Sequence, residues 1–317
     1  MKFGLLTVTY SGLFYSGKAL SLEEQVFRAR ELGFDALSIE AKRPVASPLD
    51  LSKAERIRIR EVAADQDIVL CAIESLSNFT SHFMEQRENN LAMMRMTLDL
   101  AHDLGVDLVK VFAAWPGIVN DEGEVANYGA YERGNYYKRL YSSELRKWSR
   151  AVNGIKEVAG IAADMGITLA LQNHAPVVTP GYEDVLSMLE EIDRKNLKLC
   201  LDVPLFYERQ DDAYVRKAIE KCGTHMALTH YGAWNFSEDD EGRVIQGPAS
   251  SFGGQINYPV FVSGLQRLGY DGYLVSEYCL PIIRNHKIGG IEDIDYATSL
   301  ALKYMKQVVQ KTAAVPA

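Results

Sequence analysis

The sequence predicts a single α/β domain in which eight parallel strands alternate with eight helices and close into a (β/α)8 TIM barrel. Short apolar runs of strand length alternate with longer amphipathic segments along the whole chain. Several of these segments end in a glycine just before the next run, as at Gly33 and Gly105, where the residue after a helix often adopts a positive φ. The 317 residues exceed a typical barrel of about 250 residues by roughly the size of its insertions.

The eight apolar runs are the predicted strands. They are Lys2–Tyr10, Phe34–Glu40, Ile68–Ser75, Leu108–Ala113, Ile167–Asn173, Leu197–Asp202, Thr224–His230 and Gly272–Glu277. The first helix is predicted to begin after Ser21, because Glu24 three residues later completes a capping box. The other helices are expected at about Leu49–Gln66, Glu85–Leu104, Ser142–Met165, Gly181–Ile192, Asp211–Lys221, Tyr258–Leu268 and Glu292–Val309.

A strand followed by a helix, repeated in this way, is typical of parallel strands joined by crossover helices. An open, doubly wound sheet is the alternative to a barrel. If it bound a dinucleotide, such a sheet would carry a G-x-G-x-x-G turn after its first strand. The turn here reads TYSGLFYSG, so the closed barrel over residues 1–317 is the favoured fold.

Two long connections, residues 114–141 and 231–257, follow the fourth and seventh predicted strands. Both join a strand to the next helix and are therefore expected over the C-terminal mouth, where barrel active sites are built. Loops of this length are usually functional or disordered. Their aromatic residues favour a substrate lid or a subunit contact.

The composition, 47% hydrophobic and 24% charged, is that of a globular protein. A net charge of −8 disfavours nucleic acid or an anionic membrane as a partner, because such binding needs a basic surface. The N-terminus lacks the features of a signal peptide, and no apolar run is long enough to span a membrane. The four cysteines form no C-x-x-C pair. We therefore expect a cytoplasmic protein.

Ionisable and amide side chains stand at the ends of six predicted strands. These side chains are Glu40, Glu74, Gln172 with Asn173 and His174, Asp202, His230 and Glu277. Each alone has a structural explanation, since aspartate often caps a helix or forms a turn. In a closed barrel, however, these ends converge on one mouth, where clustered carboxylates repel one another unless a cation is present.

The sequence therefore predicts one divalent metal ion bound by side chains from four successive strands, Gln172, Asp202, His230 and Glu277. Oxygen ligands with one imidazole suit Mn²⁺, which we expect, and also Mg²⁺, Co²⁺ or Zn²⁺. Two open coordination positions would accept neighbouring oxygens of a sugar.

The segments LALQNH, LCLD, ALTHYG and LVSEY, in this order, resemble the xylose isomerase-like barrel superfamily, in the group of sugar phosphate isomerases and epimerases. Ketose 3-epimerases, inosose dehydratases and C-glycoside deglycosylating barrels are similar. The resemblance implies a glutamate on the fifth strand that is both a ligand and an acid/base. The chain has Gln172 there, and an amide cannot take up a proton at neutral pH. Relatives also often have a histidine where this chain has Leu205.

His174, two residues past Gln172, is the expected general base, because an unperturbed imidazole takes up protons near neutrality. Glu277 is expected to be the second acid/base as well as a ligand. Glu40 and Glu74 are expected to bind substrate hydroxyls, and Trp115 and Tyr10 to stack on a sugar ring.

The predicted function is an isomerase or epimerase that removes a proton next to the carbonyl of a keto-sugar or related polyol, with the metal as Lewis acid. The first alternative is a metal-dependent lyase or dehydratase that eliminates a group from a 3-oxo-glycoside or inosose, since elimination needs only one good base. The second is a non-catalytic barrel that binds a sugar. A homo-oligomer and a small partner subunit are both left open.

Overall fold

Eight parallel strands form a closed barrel in the computed structural model. The structure describes residues 1–81, 83–115, 117–119, 125–127, 144–174, 178–202, 211–232, 236–247 and 256–313. The barrel strands are β1 (Lys2–Leu6), β2 (Ala36–Glu40), β3 (Val69–Glu74), β4 (Leu108–Val111), β5 (Thr168–Gln172), β6 (Leu197–Asp202), β7 (Met226–Gly232) and β8 (Tyr273–Glu277). Each pairs in parallel with the next, and β8 closes the barrel onto β1. The predicted fold class is confirmed.

One helix follows each strand within the described residues. These helices are α1 (Leu22–Leu32), α2 (Lys53–Asp65), α3 (Met84–Leu104), α4 (Glu144–Asp164), α5 (Tyr182–Ile192), α6 (Asp212–Cys222), α7 (Tyr258–Arg267) and α8 (Ile291–Ala313). The predicted capping box is present: Glu24 N donates to Ser21 Oγ at 3.2 Å, and Ser21 N donates to Glu24 Oε2 at 2.7 Å. Gly33, after α1, has a φ of 85°, which the absence of a Cβ permits.

The apolar core has two parts. The larger cluster joins the outer faces of the strands to the helices, with fully buried side chains such as Leu37, Val109 and Leu169. The smaller cluster is made almost entirely of strand residues and mixes small side chains, such as Ala36 and Ala170, with branched ones, such as Leu228 and Val275. Layers of strand side chains fill the interior of a barrel. Both clusters hold the strand ends in fixed positions, because a densely packed core tolerates little movement.

The first strand is shorter than predicted. β1 ends at Leu6, and residues Thr7–Tyr10 form a turn of 3-10 helix whose side chains are all buried. The prediction that the strand continues to Tyr10 was wrong, because the apolar residues of this turn pack into the core in a helical rather than an extended conformation.

Only parts of the two long connections are described. In the first, Gly117–Val119 pairs with Val125–Asn127. In the second, Phe236–Glu238 pairs with Val244–Gln246. This hairpin contacts α8, where the ring centroids of Phe236 and Tyr304 lie 4.8 Å apart. The remainder of both connections, and Leu205, lie outside the described residues. Among the described helices, none combines the length and the apolar character that crossing a membrane requires.

Candidate metal centre

Three side chains from adjacent strands meet at the C-terminal mouth of the barrel. Asp202 ends β6, His230 lies near the end of β7, and Glu277 ends β8. Asp202 and His230 are register partners. Each of the three offers one ligand atom, and these atoms all lie within 4.8 Å of one another. A single cation can contact all three at this spacing.

Gln172, at the end of β5, lies beside this group. Its Nε2 donates to Asp202 Oδ2 at 2.6 Å and is 3.5 Å from His230 Nδ1. His230 Nδ1 in turn lies 3.4 Å from Glu277 Oε2. The four side chains predicted from the sequence as ligands are thus brought together, with Nδ1 of the imidazole facing Gln172 and Glu277.

Two buried oxygens of this group have no hydrogen-bond partner among the described residues. They are Oε1 of Gln172 and Oδ1 of Asp202. A buried acceptor without a partner costs about 1–3 kcal/mol. The side chains carrying them are the neutral amide and the carboxylate that a hard divalent cation prefers. The unpartnered oxygens therefore fit a metal ion.

The pKa shifts of Asp202 and His230 reflect an excess of negative charge around them. Burial and the charge of Glu277 raise the pKa of Asp202. Burial alone would lower the pKa of His230, but nearby charges, that of Glu74 foremost, raise it well above 6.5. Protons are therefore held on a carboxylate and an imidazole that would both have to release them to a metal ion.

A second layer of polar side chains lies behind His230. Its Nε2 is 3.1 Å from Glu74 Oε1, and this oxygen also accepts a 2.5 Å hydrogen bond from Ser38 Oγ. Glu74 Oε2 lies 3.4 Å from Lys110 Nζ, which itself lies 3.7 Å from the centroid of the Phe112 ring. Burial raises the pKa of Glu74, but the charges of His230 and Lys110 bring it to about 2. Glu74 is therefore an ionised, buried carboxylate.

A cavity of about 290 Å³ borders the metal group. Its polar wall includes Glu40, Lys42, Glu74, Lys110, Gln172, His174, His230 and Glu277, and its apolar wall includes Leu6, Val8, Phe14, Phe112, Trp115 and Leu280. With Asp202, the described charges are four carboxylates and two ammonium groups when the imidazoles are neutral. One divalent cation would balance them.

Four of the other predicted site residues lie on the cavity wall: Glu40, Glu74, Trp115 and His174. The ring of His174 packs edge-on against Trp115 and Phe112, with centroids 4.7 and 5.4 Å apart. Glu40 pairs with Lys42 at 3.1 Å, and burial raises the pKa of Glu40 despite this cation. His174, Trp115 and Glu40 are thus placed where a bound molecule can contact them.

Tyr10 is not brought to the cavity. Its side chain is fully buried and its hydroxyl donates to Asp295 Oδ1 at 2.6 Å. The expectation that Tyr10 stacks on a sugar ring is corrected here, because the chain leaves the strand at Leu6 and the turn directs this ring towards α8.

Sequence reasoning missed Lys110 and Ser38. The sequence feature that could have revealed them is a polar residue inside each of two apolar strand runs, LVKVF and ALSIE. Side chains two residues apart on a strand share a face, so Ser38 points to the same side as Glu40. Lys110 and Ser38 both contact Glu74, which lies on β3, a different strand from either of them.

The comparisons with known proteins agree with the barrel fold. A family model described as xylose isomerase-like TIM barrel matches residues 26–298. This match spans well over half of the chain, so the protein belongs to the xylose isomerase-like TIM barrel family. The resemblance stated from the four strand-end segments is confirmed.

Sugar epimerases are among the similar proteins. The chain is 22% identical over 266 residues to a D-psicose 3-epimerase of Ruminiclostridium cellulolyticum, covering 81% of this chain and 77% of that enzyme. A crystal structure of D-psicose 3-epimerase in the presence of D-fructose matches with a TM-score of 0.72 and 19% identity, over 98% of this chain and 99% of that one. A 3-keto-D-glucoside 4-epimerase from E. coli matches with a TM-score of 0.68 and 15% identity, over 97% and 99%. These structural matches show the fold.

Proposed function

We propose that this protein is a divalent-metal-dependent sugar isomerase or epimerase that acts on a keto-sugar or related polyol. The observation that carries the proposal is the meeting of Gln172, Asp202, His230 and Glu277 beside a cavity, where two buried oxygens have no partner within the described part of the chain. The sugar epimerases among its relatives support the same reaction class.

The four side chains would hold one metal ion, and Mn²⁺ is the ion proposed because three oxygens and one imidazole suit it. When bound, a divalent cation supplies a Lewis acid that makes a hydrogen next to a carbonyl more acidic. The excess negative charge of the described cavity supports a cation of charge two rather than one.

His174 is proposed to take the proton from the carbon next to the carbonyl. Its place on the cavity wall supports this role, and the edge-on packing of Trp115 and Phe112 fixes the plane of its ring. Glu277, 22% exposed and therefore open to the cavity, is proposed to return a proton on the other face of the substrate. Glu40 and Trp115 are proposed to contact the substrate's hydroxyls and ring.

A lyase or dehydratase is the second candidate, and Gln172 is the observation that favours it. Because the residue at the end of β5 is an amide, there is one proposed base on that side of the cavity. One base suffices for elimination, whereas epimerisation by two matched carboxylates needs a second acid/base. The substrate would then be a 3-oxo-glycoside or an inosose, and the products would include a released group.

One experiment separates these functions. The Mn²⁺-loaded protein is incubated with ketoses, inososes and 3-oxo-glucosides in deuterated buffer, and the products are followed by NMR and mass spectrometry. Deuterium at the carbon next to the carbonyl, with every substituent retained, is the expected result. Release of water or an aglycone supports elimination instead. Binding of a sugar without exchange or release, with Mn²⁺ present, would show a binding barrel. Asp202→Asn is the matched control, because it removes one ligand charge with little change in volume.

A further inference from the structure

We propose that Glu74 is a positioning residue that fixes the imidazole of His230 so that its Nδ1 presents a lone pair to the metal ion. The inference rests on the proposed metal centre and adds a role that differs from the substrate contact expected from the sequence. It concerns three partners of one buried carboxylate, His230, Ser38 and Lys110.

In the hydrogen bond between Glu74 and His230, the imidazole is the donor. A carboxylate without a proton only accepts hydrogen bonds, so the proton between Glu74 Oε1 and His230 Nε2 belongs to the imidazole. In a neutral imidazole only one nitrogen carries a proton. Glu74 therefore leaves Nδ1, the nitrogen 3.4 Å from Glu277 Oε2, free to bind a cation.

Glu74 is itself held in place by two other side chains. Ser38 Oγ donates to its Oε1 at 2.5 Å, and Lys110 Nζ lies 3.4 Å from its Oε2. Lys110 is in turn fixed by the Ser75 carbonyl oxygen at 3.4 Å and by the face of Phe112. Because Glu74 is 1% exposed, water does not compete with these partners.

The side chain of Cys200 also lies near Nε2. The sulfur of Cys200 lies 3.9 Å from this nitrogen, and sulfur is a weak hydrogen-bond acceptor. Glu74 Oε1 is closer to Nε2 than this sulfur, and its 3.1 Å contact is also shorter than the 3.4 Å between Nδ1 and Glu277 Oε2, so Glu74 favours the proton on Nε2. A carboxylate behind a metal-binding histidine orients the ring and raises its basicity, and removing such a partner typically costs about 10–100-fold in metal affinity.

Glu74→Gln tests the inference, because the amide can donate as well as accept and so allows the proton to move to Nδ1. Mn²⁺ binding, measured by calorimetry and by electron paramagnetic resonance, is expected to weaken by about 10–100-fold. Cys200→Ala is the matched control near the same nitrogen and is expected to leave the affinity near that of the parent, because sulfur is a weak hydrogen-bond acceptor. Equal affinity in Glu74→Gln and the parent would overturn the proposal.

Loss of the Glu74 charge also leaves the Lys110 ammonium buried without its carboxylate, which could weaken the site by a general loss of order. The double variant Glu74→Gln/Lys110→Met removes both charges. If Glu74 only compensates Lys110, the double variant recovers the parent's Mn²⁺ affinity and the proposal is wrong. If Glu74 positions His230, the affinity stays about 10–100-fold below that of the parent.

The ¹⁵N NMR spectrum of the imidazole separates this inference from the proposed function. In metal-free parent protein, at a pH at which His230 is neutral, its one ring proton should be on Nε2 and hydrogen-bonded, whereas in Glu74→Gln it should shift to Nδ1. If the parent binds no Mn²⁺, the proposed function fails and this spectrum alone decides the role of Glu74. Identical Nε2 signals in parent and variant would overturn it.

Discussion

Replacing Gln172 by glutamate tests both the metal centre and the missing acid/base. The amide nitrogen of Gln172 lies 2.6 Å from Asp202 Oδ2, so the substitution exchanges a hydrogen bond for a contact between two carboxylates. Two unit charges about 4 Å apart repel by about 4 kcal/mol at an effective dielectric constant of about 20. Without metal, Gln172→Glu should therefore be less stable than the parent by up to about 4 kcal/mol, and increasingly so as the pH rises.

A bound divalent cation reverses this effect, because it attracts the additional carboxylate. We expect Mn²⁺ to bind at least about tenfold more tightly to Gln172→Glu than to the parent, which is about 1.4 kcal/mol. This figure allows for the proton that the two carboxylates share and must release when the metal binds. Denaturant unfolding with and without a chelator measures the stability, and calorimetry measures the affinity. Gln66→Glu, at the end of α2 and therefore at the opposite end of the barrel, is the matched control and should change neither quantity.

The same variant reports on catalysis. If the amide is what prevents exchange on one face of the substrate, Gln172→Glu should increase deuterium incorporation and epimer formation relative to any elimination. Unchanged stability, unchanged Mn²⁺ affinity and unchanged activity together would refute the reasoning, since they would mean that no charge at this position is felt by Asp202, a cation or a substrate.

Three further predictions follow from named contacts. His174→Gln should reduce solvent deuterium exchange by about 10²–10⁴-fold while the calorimetric Mn²⁺ affinity stays near that of the parent; full exchange in this variant would exclude His174 as the base. Tyr10→Phe removes the hydroxyl that donates to Asp295 and should lower the free energy of unfolding by about 0.5–3 kcal/mol without altering turnover or KM, whereas a raised KM would return Tyr10 to the substrate site. The metal-free protein should lose stability as the pH rises from 3.8, the ordinary pKa of Asp202, to about 8, its raised pKa. In this range the folded state holds a proton that the unfolded state has released. Mn²⁺ should therefore stabilise the protein more at the alkaline end, and unfolding curves with the same pH dependence in metal and in chelator would contradict this.

The meeting of the strand-end side chains could be predicted from the sequence because it depends on a local pattern and one general property of barrels. Asp202, His230 and Glu277 each follow an apolar run, and the C-terminal ends of parallel strands in a closed barrel necessarily meet at one mouth. Once the runs are identified as strands, the side chains at their ends converge whatever the details of packing.

Tyr10 shows where this reasoning stops. An apolar segment from Lys2 to Tyr10 has the composition of a strand, yet the strand ends at Leu6. Whether such a segment continues as a strand or turns depends on what its side chains pack against. Here the partner is Asp295 on α8, which is 285 residues away in the chain.

By itself, therefore, the sequence determined the alternation of strands and helices, the residues at the strand ends and their oxygen-rich chemistry, which suits a divalent cation. The tertiary structure alone decided which of these side chains contact one another: that Glu74 bonds to His230, 156 residues away, and that Lys110 lies against Glu74. The physical reason is that hydrogen bonds and ion pairs form only within about 3–4 Å, and the register and packing of distant strands set such distances.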